Sequence, residues 1–164
     1  QAERVGICSR IAGNPDVPYI NTPEKHAEID RVGFITAGDV GYIDADGYVF
    51  ICDRKRDMVI SGGVNIYPAE IENALIGMDG VRDCAVFGVP DDEFGERLFA
   101  CIEPEANAAL SPAAVQEFLR GRLANFKVPK DIQFMDAMPR EATGKIFKRK
   151  LRDLYTEGKL RAIA

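Results

Sequence analysis

The spacing of hydrophobic positions changes several times along this chain, and each change predicts an element. Residues 33–54, GFITAGDVGYIDADGYVFICDR, alternate apolar and polar positions on both sides of an Asp-Gly turn. That is a β-hairpin pattern, with Tyr48, Phe50 and Cys52 on one face. The DADG turn resembles the opening of a calcium loop, but YVFIC follows where further acidic ligands would be required, so the turn reading prevails. A charged knot, Arg54 to Asp57, and a flexible Ser-Gly-Gly come next. A helix is then predicted from Pro68, with Glu70 in its first turn, Ile71, Leu75 and Met78 on one face, and Gly80 as its stop. CAVFGV (84–89) and LFACIE (98–103) read as strands flanking a polar loop, PDDEFGER. Ser111-Pro112, a cap followed by proline, opens a second helix that repeats Val115, Phe118, Leu119 and Leu123. DIQFM (131–135) is a short strand and PREATGK a loop. A last helix carries Phe147, Leu151, Leu154 and Tyr155 on one stripe, with Lys148, Arg149, Lys150 and Arg152 as its solvated cationic face.

After residue 57 the order is β-α-β-β-α-β-α, which predicts an α+β fold of about 100 residues, a usual domain size. It should hold a short mixed sheet and about three helices, preceded by the β-hairpin. The first ~50 residues are too few for a stable domain of their own and read as the β-rich tail end of a larger one. The boundaries are therefore 1–53, a junction at 54–57, and 58–164.

Composition narrows the functional classes. The chain has 164 residues, 46% of them hydrophobic and 29% charged, as in ordinary globular domains rather than disordered ones. A net charge of -5 argues against nucleic acid and anionic membrane as partners, so basic behaviour has to be local. No apolar run approaches the roughly 20 residues that span a bilayer, and QAERVGICSR has no signal-peptide pattern. Cys8, Cys52, Cys84 and Cys101 are far apart with no CxxC spacing; three sit in apolar runs as small hydrophobes. Neither zinc nor a disulfide framework is indicated, and a reducing cytoplasm fits best. His26, alone in the charged turn PEKHAEID, is assigned no role.

Several segments coincide in order and spacing with one family. GFITAGDVGYIDADGYVFICDRKRDMVISGGVNIYPAEIE resembles the central signature of the adenylate-forming, AMP-binding enzymes, acyl-CoA synthetases above all, and LANFKVPKDIQFMDAMPREATGKIFKRKLRD resembles their C-terminal signature. The resemblance runs from about residue 30 to 155 and lacks the family's Ser/Thr/Gly-rich phosphate loop and aromatic-Gly-x-Thr-Glu segment. It implies the C-terminal part of an enzyme that joins a small-molecule carboxylic acid to coenzyme A. ATP and the acid give an acyl-adenylate and pyrophosphate, the thiol then displaces AMP, and a mobile C-terminal domain (58–164) rotates about the 54–57 hinge between the two steps.

The resemblance also implies roles for residues. Asp39, in AGDVGY, would accept hydrogen bonds from the ribose hydroxyls of ATP or AMP, which suits a carboxylate with several acceptor sites. Arg54 would reach the same ribose, or serve as an inter-strand or hinge salt bridge. Arg56 falls on the hinge position, and a hinge needs a residue whose backbone angles can change in water. Ser61, Gly62 and Gly63 would line the tunnel of the pantetheine arm, where glycines let a slender thiol pass close to the backbone. Tyr67, Pro68 and Glu70 belong to the helix start. Lys145 would be the catalytic group, an ammonium bridging two anions as they approach, with Gly144 letting its loop bend into the site. Ala37 stands where the family usually carries Thr. Mg²⁺ is implied by ATP chemistry, with its ligands mainly in the absent N-terminal domain and none assigned here. Two alternatives stay open: loading of a carrier protein instead of coenzyme A, and a non-enzymatic module using the basic C-terminal helix. Fatty, aromatic and steroid-like acids all remain open as substrates.

Overall fold

The structure, a computed structural model, describes residues 5–9, 30–31 and 34–160, with side chains from residue 38 onward. His26 and the side chains of Cys8 and Ala37 lie outside the described residues. The chain divides into two compact units, residues 1–56 and 57–164.

In the first unit β3 (Phe34–Ile43) is central and antiparallel to β1 (Val5–Ser9), β2 (Asp30–Arg31) and β4 (Val49–Arg54). β3 and β4 are the predicted hairpin. The rings of Tyr42 and Phe50, opposite each other in the register, stack with centroids 4.9 Å apart. In the turn, Asp44 Oδ1 accepts from the backbone N–H groups of Asp46 at 3.0 Å and Tyr48 at 2.9 Å. Its carboxylate thus serves the turn, and no cluster of metal-ligating side chains occurs among the described residues.

The second unit is α+β, as predicted, with a mixed sheet and, among its described residues, three α-helices: α1 (Pro68–Ile76), α2 (Pro112–Arg120) and α3 (Lys148–Thr156). Its spine is the antiparallel pair β7 (Val81–Asp91) and β8 (Gly95–Pro104), in register from Asp83↔Glu103 to Asp91↔Gly95. The free edge of β8 takes a hairpin, β5 (Val59–Ser61) with β6 (Val64–Ile66), at its start, through Ser61↔Gly95. Farther along the same edge, β9 (Asp131–Phe134) runs parallel to it from Phe99↔Asp131 to Ile102↔Phe134.

The runs CAVF and LFACI have no polar alternation because both faces of the strand pair are covered. Cys84, Val86, Leu98, Ala100 and Ile102 point to one side, where they meet Ile71 and Leu75 of α1 and Val115 and Leu119 of α2. Ala85, Phe87, Val89, Phe99 and Cys101 point to the other, against Met138, Leu151 of α3 and Leu160. Helix starts follow the sequence signals. Pro68 and Pro112 occupy first turns, and Ser111 Oγ accepts from Ala114 N–H at 3.2 Å. Each helix buries only one to three residues, so packing rather than helix propensity supports these nine-residue elements.

Four sequence expectations are corrected. α1 stops at Gly77 rather than Gly80, and Met78 packs on the core from the turn that follows. PDDEFGER is mostly strand; the connection shrinks to residues 92–94, tied by Asp91 Oδ1 to the N–H of Glu93 and Phe94. Ser-Gly-Gly is not a loose stretch but the turn of the β5–β6 hairpin, an element the prediction lacked. Phe147 precedes α3 and is 37% exposed, so it is not part of the buried stripe.

Leu151 is fully buried and is the one α3 residue wholly inside this core. Leu151→Ala should destabilise the 57–164 unit by about 3 kcal/mol through lost burial and residual cavity. The readout is a lower denaturant midpoint at constant slope; a loss below about 1 kcal/mol would mean that α3 is not integral to the core.

Candidate functional site

The hairpin register sets Asp39 directly opposite Arg54, and their side chains close an ion pair, Arg54 Nε to Asp39 Oδ1, of 2.7 Å. Arg54 thus makes the inter-strand salt bridge that the sequence allowed, and the pair orients the Asp39 carboxylate. Arg56 is exposed in the short 3-10 turn Lys55–Asp57. Just after it, Asp57 Oδ1 accepts from the guanidinium of Arg152 on α3 at 3.3 Å. Within their own units, then, Arg54 is fastened on one side of residues 55–56 and Asp57 on the other.

Gly62 and Gly63 have φ of +56° and +79°, the left-handed pair that a two-residue hairpin turn of matching twist requires. Gly62 has a second reason to lack a side chain. A Cβ there would lie 3.1 Å from Phe94, and its N–H donates to the Phe94 carbonyl at 2.9 Å. Ser61 and Gly62 line a cavity of about 430 Å³ together with Phe94, Arg97, Phe126 and Lys130. The Lys130 ammonium sits 5.9 Å from the Phe94 ring centroid. Arg97, also in the lining, reaches Asp131 at 2.8 Å and donates to the Tyr155 hydroxyl at 3.2 Å, which keeps its guanidinium firmly protonated.

Lys145 lies on a different loop. Arg140 and Ile146 form an isolated antiparallel bridge, and the five residues between them are all exposed. Glu141 N–H donates to the Lys145 carbonyl at 2.8 Å and Gly144 N–H to the Glu141 carbonyl at 2.9 Å, closing a tight turn. Gly144, at φ +84°, takes the conformation that a side chain would resist. The Lys145 ammonium projects from this turn with no ion pair among the described residues. The two motifs hang from opposite ends of β8. The Ser61–Gly63 turn pairs at Gly95, and the lysine loop is held by Arg140 near Glu103. At about 3.4 Å per residue, those attachment points are roughly 27 Å apart along the strand.

The basic run after Lys145 does not form one solvated face. Lys148 Nζ pairs with Glu72 Oε1 at 2.8 Å, with side chains 20% and 19% exposed, and that carboxylate also accepts from Val86 N–H at 2.6 Å. Arg152 holds Asp57. Arg149 and Lys150 are exposed, as expected. Glu70 is more than a helix-start residue, since it takes Lys127 Nζ at 2.6 Å. Glu103, Asp83 and Glu72 escaped the sequence reading. Glu103 sits within the apolar-looking run LFACIE, is only 4% exposed, and accepts from Met138 N–H at 3.0 Å.

The apolar reading of three cysteines holds for Cys84 and Cys101, which are buried, while Cys52 is half-buried. Burial pushes both buried thiols up to about 12, with Glu72 and then Asp83 adding to the effect at Cys84. At pH 8 a thiol of that kind is thiolate only about once in 10⁴ molecules. Iodoacetamide should therefore modify Cys52 in the native protein but reach Cys84 and Cys101 only in denaturant. Native-rate labelling of Cys84, read by peptide mass spectrometry, would contradict this packing.

Comparison with known proteins follows the same lines. Residues 70–145 match the AMP-binding enzyme C-terminal domain. The chain is 48% identical over 136 residues to 3-[(3aS,4S,7aS)-7a-methyl-1,5-dioxo-octahydro-1H-inden-4-yl]propanoyl:CoA ligase of Rhodococcus jostii, covering 82% of this chain and 26% of that protein. It is 45% identical over 139 residues to the fatty acid–[acyl-carrier-protein] ligase ScoC of Streptomyces coeruleorubidus, covering 85% of this chain and 27% of that protein. Among solved structures it resembles ATP-bound MatB from Rhodopseudomonas palustris, with a TM-score of 0.80 at 41% identity over 88% of this chain and 29% of the other. The chain thus spans little more than a quarter of the length of these curated relatives.

Proposed function

We propose that this chain, whose residues 70–145 match the AMP-binding enzyme C-terminal domain, is the C-terminal part of an ATP-dependent ligase joining a carboxylic acid to a thiol. The observation that carries this reading is the separation of two motifs on one rigid sheet. Lys145 and the Ser61–Gly63 turn, attached roughly 27 Å apart, cannot attend the same reacting carbon together. A two-step reaction with domain rotation gives each its turn.

In the first step the substrate carboxylate oxygen attacks the α-phosphorus of ATP and pyrophosphate leaves, with no proton transfer required. Two anions must meet, and the ammonium of Lys145, on an exposed turn with no competing ion pair among the described residues, suits bridging them. Asp39, oriented by Arg54, would accept from the ribose hydroxyls and fix the nucleotide. In the second step a thiolate attacks the acyl carbon and AMP leaves. The Ser61–Gly63 turn, narrow and free of large side chains, would flank the thiol arm. Residues 55–56, set between two fastened positions, are the proposed pivot, with Arg56 at its centre. Mg²⁺ does not fit the described residues, which offer no cluster of ligands, so it would sit with the nucleotide phosphates elsewhere.

The thiol is taken to be coenzyme A, as in the relative from Rhodococcus jostii, with a carrier protein as second reading because ScoC is named for one. No described helix is long and apolar enough to cross a membrane, and the free thiols support a reducing cytoplasm. In the enzyme carrying this chain, Lys145→Ala should lower ATP–pyrophosphate exchange at least about 100-fold. Thioester formation from supplied acyl-adenylate should stay within a few-fold. Gly62→Ala, forced against Phe94, should show the reverse pattern. Equal losses in both half-reactions for either variant would refute the assignment. Residues 1–164 alone, given ATP and a panel of acids, should release no pyrophosphate above background.

A further inference from the structure

Lys145 poses a positioning problem. Its turn, residues 141–145, is exposed throughout, yet a charge meant to bridge two anions must be held to within about 1 Å, a misplacement that can cost roughly 100-fold in rate. The base of the turn is fixed by the Arg140–Ile146 bridge and by Phe147 N–H donating to the Pro139 carbonyl at 2.8 Å. Its tip is tied by one side chain. Arg140 Nη1 donates to the Gly144 carbonyl at 3.1 Å, the peptide immediately before Lys145. The other Nη of the same guanidinium binds Asp83 Oδ2 at 2.6 Å and lies 3.6 Å from Glu103 Oε2.

Those two carboxylates are themselves anchored. Asp83 Oδ1 accepts from Cys84 N–H at 2.9 Å, and the Glu103 carboxylate accepts from Met138 N–H and pairs with Arg82 at 3.3 Å. Asp83 and Glu103 are cross-strand partners in β7 and β8, so Arg140 links the lysine turn to the most deeply packed strands of the domain. Charge works in the same direction. With both carboxylates engaged by Arg140, Lys145 is not drawn into an ion pair with them, and its ammonium stays available outward.

We propose that Arg140 is the positioning residue for Lys145, clamping the Gly144 carbonyl to the Asp83–Glu103 carboxylate pair so that the lysine turn keeps one conformation. The proposal rests on the adenylation role of Lys145 given above. The planar fork is essential, because one guanidinium must serve a carbonyl and two carboxylates in different directions. A lysine supplies the charge but not that geometry.

The experiment compares Arg140→Ala, Arg140→Lys, Asp83→Asn, Lys145→Ala and the Arg140→Ala/Lys145→Ala double variant in the enzyme carrying this chain. Each is assayed for ATP–pyrophosphate exchange, for thioester formation from supplied acyl-adenylate, and for melting temperature. Arg140→Ala should slow exchange by about 10- to 100-fold through kcat, with the KM for ATP within about threefold and the thioester step within about twofold. Arg140→Lys should restore melting but only part of the rate, and Asp83→Asn should mimic a milder Arg140→Ala. The double variant should be no slower in exchange than Lys145→Ala alone, because Arg140 acts only through the lysine. Independent, multiplying losses in the double variant would overturn the proposal, as would equal slowing of both half-reactions. Should Arg140→Ala unfold, the folded Arg140→Lys and Asp83→Asn variants decide by the same criteria. If Lys145→Ala itself retains exchange, the role of Lys145 has failed; if it loses exchange while Arg140→Lys and Arg140→Ala keep it, only the positioning role has.

Discussion

Phe87 and Phe99 are opposite each other across β7 and β8, with ring centroids 5.5 Å apart, and neither is exposed. The rest of the second unit follows from the need to keep water off both sides of that strand pair. A strand pair with apolar residues on both faces is stable only between two layers. α1 and α2 cover one face; α3 and the segment ending at Leu160 cover the other. Burial of each large side chain is worth roughly 2–3 kcal/mol, and interiors packed at near-crystalline density transmit displacement instead of absorbing it. That rigidity is what the exposed loops borrow.

The charged residues around this core extend its order outward. Glu72, Asp83 and Glu103 each place carboxylate oxygens against strand or connecting backbone, and each also holds a cation from the C-terminal segment. Partly buried pairs of this kind are weak evidence for stability in themselves, because desolvation offsets much of the attraction. Their value here is geometric: they tie the segment 140–152 to fixed positions on the sheet.

Much of this was legible in the sequence, because apolar runs, a Ser-Pro cap and glycine punctuation report on local backbone needs. The hairpin at 34–54, the helix starts at Pro68 and Pro112, and the separateness of Lys145 from the basic run all came from such signals. Three of the errors share one physical cause. Val59–Ser61 and Val64–Ile66 are too short to show a period, and their strand character depends on pairing with β8. PDDEFGER looked like a loop because its polar residues are spent on turn and cross-strand contacts, with Glu96 accepting from Ile60 N–H at 2.8 Å. Lys148 and Arg152 looked like solvent-facing charges because their acidic partners, Glu72 and Asp57, are distant in sequence. Period and composition report a residue's neighbours along the chain; they are silent on a partner brought in by the sheet.

The length of β8 has one more implication. A ten-residue strand keeps its two ends chemically out of earshot, beyond the screening length of about 8 Å at physiological salt. Substitutions around the Phe94–Gly62 end do not alter the field felt by a lysine at the Glu103 end, and the reverse holds as well. Selection could therefore retune one end of the strand while leaving the other untouched. A scaffold of this shape would let a lineage change the surroundings of its two ends on separate evolutionary schedules.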